Sequence, residues 1–204
     1  MVQTLGRLKE SASQTAGPYV HIGLTPNFAG IAGVYKRDLG TAMVNDKTRG
    51  ERIRVNIRVI DGAGSPLKDA LVEIWQADAA GIYNSPSDLR GSADPNFTGW
   101  GRLPTDMTTG ECMFETIKPG RVPFFDGRKM APHLTVWIVA RGINIGLHTR
   151  MYFGDEETAN AEDPVLMRIE QKERVSTLVA PRDGDIYKFD IHLQGINETV
   201  FFDI

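Results

Sequence analysis

A tyrosine and a histidine such as Tyr83 and His133 are suited by type to metal chemistry, since an ionised phenol is a hard anionic oxygen donor and a neutral imidazole a borderline nitrogen donor. They belong to three compact segments: Trp75-Gln76-Ala77-Asp78-Ala79-Ala80-Gly81-Ile82-Tyr83, Lys118-Pro119-Gly120-Arg121-Val122-Pro123, and Pro132-His133-Leu134-Thr135. Positions i and i+2 of a strand share a face, so Thr135 is expected beside His133, where it offers only a neutral hydroxyl. Val122, in the middle segment, has no lone pair. Two donors are too few to hold a metal, and a lone tyrosine or histidine is more often a hydrogen-bonded structural residue than a ligand. His21, His148 and His192 show no spacing that would complete a site and read as structural or surface residues. There is no phosphate-binding glycine loop, cysteine-based zinc pattern or Gly-x-Ser-x-Gly nucleophile elbow.

The elements that must position these residues are mostly strands. Apolar and polar residues exchange at every position of Arg52-Ile53-Arg54-Val55-Asn56-Ile57-Arg58-Val59, the pattern of a strand with one buried face. Asp61-Gly62-Ala63-Gly64-Ser65-Pro66 is a turn leading to a second strand at 70–76, which predicts a hairpin-like unit. That segment also suits a transthyretin-like binding module. Further strands are expected at 112–117, 133–140, 147–153, 187–193 and 199–203, with a turn at Arg182-Asp183-Gly184-Asp185. Their number and spacing predict a mainly β protein built as a β-sandwich with few short helices. One helix is expected over 163–170, with Asp163 as N-cap and Pro164 in its first turn. Asp155-Glu156-Glu157 suits a helix start or a solvated loop. Residues 1–50 lack strong periodicity and read as an extended N-terminal arm and partner-contacting segment, with 51–204 as the sandwich core. Trp and Phe residues are expected in core or subunit contacts.

Bulk composition is that of an ordinary globular domain: 204 residues, 41% hydrophobic and 24% charged. A net charge of -3 carries no basic excess, which argues against nucleic acid or an anionic membrane as partner. The single cysteine, Cys112, excludes an internal disulfide and fits a reducing cytoplasm. No apolar stretch follows Arg7, Lys9 and Glu10 as a secretory signal would require, and the run 136–140 is too short to span a bilayer. A soluble, cytoplasmic protein is the expectation.

The three segments resemble the intradiol aromatic-ring dioxygenases, in which the first ends in an iron-binding tyrosine, the second places a tyrosine after Lys-Pro-Gly-x, and the third reads His-x-His. Val122 and Thr135 stand where the second tyrosine and second histidine belong. The likeness continues through Ser13-Gln14-Thr15-Ala16-Gly17-Pro18-Tyr19-Val20-His21-Ile22-Gly23-Leu24, Asp94-Pro95-Asn96-Phe97, Gly99-Trp100-Gly101-Arg102, Ala140-Arg141-Gly142-Ile143-Asn144-Ile145 and Glu198-Thr199-Val200-Phe201-Phe202-Asp203. It implies the family's β-sandwich and a reaction in which Fe(III), held by two tyrosinates and two histidines, binds a catechol dianion that O2 opens between its hydroxyl-bearing carbons. In this chain Met130 replaces an arginine and Arg150 a glutamine of the catalytic relatives. Together with Val122 and Thr135 these departures imply that Tyr83, Val122, His133 and Thr135 are degenerate positions that hold no metal.

Within the family, the members that cleave protocatechuate combine two homologous chains, and this sequence is similar to the one without iron. The resemblance implies a homologous iron-binding β chain as partner, with Fe(III) on that partner, and protocatechuate and O2 meeting at a site shared between the chains. It implies no catalytic residue here and a substrate-binding role for Thr15, Gly17, Pro18 and Arg141. Gly17 permits close backbone approach to a ring, Pro18 gives a rigid apolar surface, Thr15 a hydrogen bond, and Arg141 a positive charge for a carboxylated substrate. The residues alone leave open an ordinary turn at 15–19 and a solvated charge at Arg141. They also leave open a structural or small-molecule-binding sandwich without a catalytic role, or a self-sufficient dioxygenase with unconventional ligands.

Overall fold

A computed structural model describes residues 15–17, 19–144 and 146–203. In chain order its strands are β1 (Arg52–Ile60), β2 (Leu71–Trp75), β3 (Trp100–Pro104), β4 (Glu111–Ile117), β5 (His133–Val139), β6 (Leu147–Phe153), β7 (Val179–Ala180), β8 (Arg182–Asp183) and β9 (Ile186–His192). Four form one sheet in the order β4-β1-β9-β8 and five the other in the order β3-β2-β5-β6-β7. The period-two pattern of β1 buries Ile53, Val55, Ile57 and Val59 against Val72 and Ile74 of β2 and Leu134, Val136 and Ile138 of β5 in a core between the sheets. Cys112 lies in this core as a free thiol that burial pushes up, so it is chemically inert.

The mainly β fold and the strands at 112–117, 133–139 and 147–153 follow the alternation in the sequence. Three local expectations need correction. The turn after β1 forms, with Asp61 Oδ1 accepting from Ser65 N and Leu67 N bonding Val59 O, but β2 then joins the opposite sheet. A sandwich needs strands on both faces of the core, and β1 satisfies its own edges with β4 (antiparallel) and β9 (parallel) instead. Residues 199–203 form no strand. Thr199 N bonds His192 O in one sheet and Phe202 N bonds His148 O in the other, so the segment straps the two sheets together and cannot build a ladder with either. The helix expected at 163–170 shortens to a 3-10 turn, Leu166–Arg168: Asp163 Oδ1 accepts from Val165 N and Leu166 N as an N-cap side chain does, but the chain becomes extended at Ile169 (φ -66, ψ 117) and the helix stops there. Strand β3 was masked in the sequence by Gly101, which is required because a Cβ there would lie 2.6 Å from Met43 Sδ.

Two short α-helices, α1 (Tyr19–Leu24) and α2 (Glu157–Ala161), complete the regular structure with a 3-10 helix over Lys172–Leu178. Among the described residues no helix is long and apolar enough to cross a membrane. The arm after α1 is held to the outer strand β3: Arg102 N bonds Gly40 O, Thr98 N bonds Met43 O, and Asp38 receives Asn27 N and Phe28 N. His21 takes a structural role, bonding Asp69 O at 2.9 Å and Thr25 Oγ1 at 3.2 Å.

A charged network closes one end of the sandwich. Asp155 receives Lys118, Arg182 and the Tyr187 hydroxyl, while Arg182 also reaches Glu51 and Lys118 reaches Glu156. Desolvation pushes the Asp155 carboxyl up, but the three hydrogen bonds overcome it and hold the pKa at about 2. A carboxyl with a depressed folded pKa contributes stability above its unfolded value and loses it as the pH falls through the folded one. Asp155→Asn is therefore expected to cost about 2 kcal/mol at pH 7, a fall of roughly 4–8 °C in Tm. Calorimetry between about pH 4 and pH 2 should show the wild-type advantage disappearing; an equal advantage at pH 2 would contradict the assignment.

Candidate functional site

The three segments singled out in the sequence do converge, on the outer face of the five-stranded sheet. Asp78 organises the first of them: its Oδ1 accepts from Ala80 N and Ile82 N, and its Oδ2 from Asp94 N. Its carbonyl accepts from Gly81 N and Gly120 N, fastening the second segment to the first. The approach is close enough to require glycine on both sides. A Cβ at Gly120 would sit 2.5 Å from Gly81 N, and Gly81 has φ +80 with its own Cβ direction blocked by Arg121 O at 2.3 Å. This contact sets Tyr83 against Trp75, with rings stacked at 5.8 Å and 6°.

Strand register supplies the rest. Trp75 of β2 lies opposite Thr135 of β5, and Thr135 opposite Arg150 of β6, so the three stand in a row on one face. His133 shares that face and is opposite Tyr152. Val122 packs with Ala77 and Met130 in a small apolar cluster that Tyr83 borders. Arg150 donates to the Met130 sulfur at 3.3 Å. A cleft of about 300 Å³ opens beside Trp75, Tyr83 and Val122, with Asp88 and Arg90 at its rim.

The four degenerate positions do not fit a ferric ion. Burial raises the Tyr83 phenol, which keeps it protonated. His133 is buried, donates Nδ1–H to Ala131 O at 2.8 Å, and thereby keeps its Nε2 lone pair. Desolvation first, then the Arg150 charge, depress its pKa to about 4. One imidazole lone pair, a neutral phenol, a threonine hydroxyl and a valine are an insufficient donor set for a hard trivalent cation, and the guanidinium of Arg150 repels one. Among the described residues no group of three or more His, Cys, Asp or Glu side chains is placed to hold a metal. Arg150 stood out in the sequence as a departure; only the register reveals that it puts a cation on the face of His133 and Thr135.

Thr15 and Arg141 lie elsewhere. Arg141 follows the far end of β5, eight residues after His133, which at ~3.3 Å per residue places it about 26 Å away. Thr15 Oγ1 accepts a 2.8 Å hydrogen bond from Gly142 N, joining the N-terminal segment to the loop after β5. Arg141 is 71% exposed and pairs with Asp69 at 2.5 Å, a partner with no signal in the sequence pattern. The adjoining cleft, about 450 Å³, is lined by Leu67, Arg141, Ile143, Leu147 and Leu193 among others. A Cβ on Gly17 would meet nothing within 4 Å, so no contact inside the chain requires glycine there. Pro18 lies outside the described residues.

Residues 24–195 match the Dioxygenase family model. A protocatechuate 3,4-dioxygenase alpha chain from Pseudomonas putida is 46% identical over 96% of this chain and 97% of its own length. This chain belongs to the intradiol dioxygenase family. A protocatechuate 3,4-dioxygenase beta chain from Burkholderia cepacia is 36% identical, over 78% of this chain and 71% of the relative. Among solved structures of intradiol dioxygenases, 3-chlorocatechol 1,2-dioxygenase from Rhodococcus opacus 1CP aligns with a TM-score of 0.56 at 23% identity, covering 79% of this chain and 68% of that one, which establishes a shared fold. The family's two-sheet architecture is thus retained in this chain.

Proposed function

We propose that this chain is the iron-free α subunit of a hetero-oligomeric protocatechuate 3,4-dioxygenase, working in the cytoplasm in aromatic catabolism. Its homologous β chain holds Fe(III) and, with this chain, cleaves protocatechuate with O2 to 3-carboxy-cis,cis-muconate. Full-length similarity to alpha chains supports the assignment, and similarity to a beta chain supports a partner of the same fold. The observation that carries the reading is the separation of two ends of β5. The end beside Tyr83, His133 and Thr135 offers too few donors for ferric iron, whereas at the other Thr15 is bonded to the loop of Arg141 on an exposed surface.

On this reading Thr15, Gly17, Pro18 and Arg141 form part of the wall of a pocket completed by the β chain. Arg141 supplies positive charge towards the substrate carboxylate, Thr15 positions the Arg141 loop through Gly142 N, and Gly17 and Pro18 present small or rigid surface to the ring. The unbonded Cβ direction at Gly17 suits a neighbour from outside the chain. Apolar side chains left exposed on the arm, Tyr19 at 83% and Val34 at 55%, supply area for the same partner. Co-expression with a β chain should give a coloured complex with all its iron on the partner. Iron-loaded, active protein from this chain alone would refute the proposal.

A further inference from the structure

The segment that carries Thr15 and Gly17 has little of its own to hold it. No residue of the helix that follows, α1, is buried, and Tyr19, Ile22 and Leu24 are exposed. A helix this short is not stable in water by itself, so individual contacts must set where it lies. Among the described residues two hydrogen bonds tie 15–24 to the chain outside the arm. At one end Thr15 Oγ1 accepts from Gly142 N at 2.8 Å, and at the other His21 Nε2 donates to Asp69 O at 2.9 Å. Asp69 is a firm support, because the adjoining Ala70 is fully buried and bonded to Thr105 twice, from Ala70 N to Oγ1 at 3.0 Å and from Thr105 N to Ala70 O at 2.8 Å. The Asp69 carboxylate in turn holds Arg141 at 2.5 Å. The contacts close a ring: the Asp69 carbonyl to His21, the chain back to Thr15, Thr15 to the loop of Arg141, and Arg141 to the Asp69 carboxylate.

We propose that His21 is a positioning residue for the reaction, fixing the segment 15–17 against Arg141 through the Asp69 carbonyl. The proposal rests on the reading of that segment and Arg141 as part of the substrate pocket wall. A carbonyl can only accept, so Nε2 carries the imidazole proton and Nδ1 is left to accept from Thr25 Oγ1 at 3.2 Å. Thr25 is fully buried, and Phe28 packs against the imidazole with ring centroids 5.3 Å apart, so the ring itself is held in place. With the Thr15 bond alone the segment could pivot about Gly142; the second bond, at His21, fixes its direction as well. A wall that is ordered before the substrate arrives spares binding the cost of ordering it.

Steady-state kinetics of the complex assembled with the β chain separate this role from packing. His21→Phe keeps a ring against Phe28 but removes the donor, and should raise KM for protocatechuate about fivefold, the worth of one neutral hydrogen bond, with kcat and iron content unchanged. His21→Gln loses the ring yet can bring an amide N–H to the place of Nε2, and should keep KM within about twofold of wild type. The reverse order, with Gln worse than Phe, would mean that the ring matters only for packing and would overturn the proposal. The unmodified full-length chain gives a readout that needs no variant: at about pH 8, above the usual histidine range, the imidazole nitrogen resonances of His21 should show Nε2 protonated. Protonation at Nδ1 instead would also overturn it. Arg141→Gln serves as the reference. An unchanged KM in His21→Phe beside a raised KM in Arg141→Gln overturns the positioning role alone, whereas an unchanged KM in both overturns the reading on which it rests as well.

Discussion

Arg141→Gln is expected to raise KM for protocatechuate about tenfold in the assembled enzyme while leaving kcat nearly unchanged, because a charge facing a remote carboxylate binds ground and transition states alike. The structure adds a second arm to this experiment. Arg141 is already paired with Asp69 at 2.5 Å, and a substrate carboxylate must compete with that partner. Asp69→Asn should therefore move KM the other way, lowering it by roughly threefold at low salt, with the gain fading as ionic strength screens an exposed pair. Steady-state kinetics of both variants at two salt concentrations decides the matter. If KM is the same in all three proteins, Arg141 does not face the substrate.

The largest effect is expected from rebuilding the degenerate site. Val122→Tyr with Thr135→His restores the ligand types, yet this double variant should remain free of iron as long as Arg150 is present. With two tyrosinates the bound ion would carry a net charge of about +1, and at an effective dielectric constant of about 20 a guanidinium ~5 Å away costs about 3 kcal/mol, roughly a hundredfold in affinity. Adding Arg150→Gln removes that repulsion, and the triple variant should take up about one ferric ion per chain and acquire a tyrosinate-to-iron absorption band that the double variant lacks. His133 is already prepared, with its tautomer fixed by Ala131 O. Equal iron content in double and triple variants would show that the guanidinium is not what excludes the metal.

Both predictions rest on pairings that the sequence could not display. Alternation made β1, β5, β6 and β9 legible, since one buried face per strand leaves a period of two that no neighbour can erase. It did not reveal β3, where Gly101 interrupts the apolar face to admit Met43, nor did it assign strands to sheets. The turn at Asp61 was correctly placed but wrongly read as a hairpin, because a turn fixes the chain's direction and not which layer the next strand enters. The strap at 199–203 shows the same limit: its apolar residues suit a strand, but its hydrogen bonds go to both sheets.

The chemistry divides in the same way. Residue types alone determined that Val122 and Thr135 offer neither a tyrosinate nor an imidazole, wherever the chain places them. Tertiary structure decided everything that depends on distance. It set Arg150 beside Thr135 through the β5–β6 register, bonded Thr15 to the loop after Arg141 across more than a hundred residues, and gave Arg141 its competitor Asp69. Donor capacity is a property of each side chain, whereas electrostatic repulsion, hydrogen bonding and charge competition fall off within a few ångströms and exist only once the fold has brought the groups together.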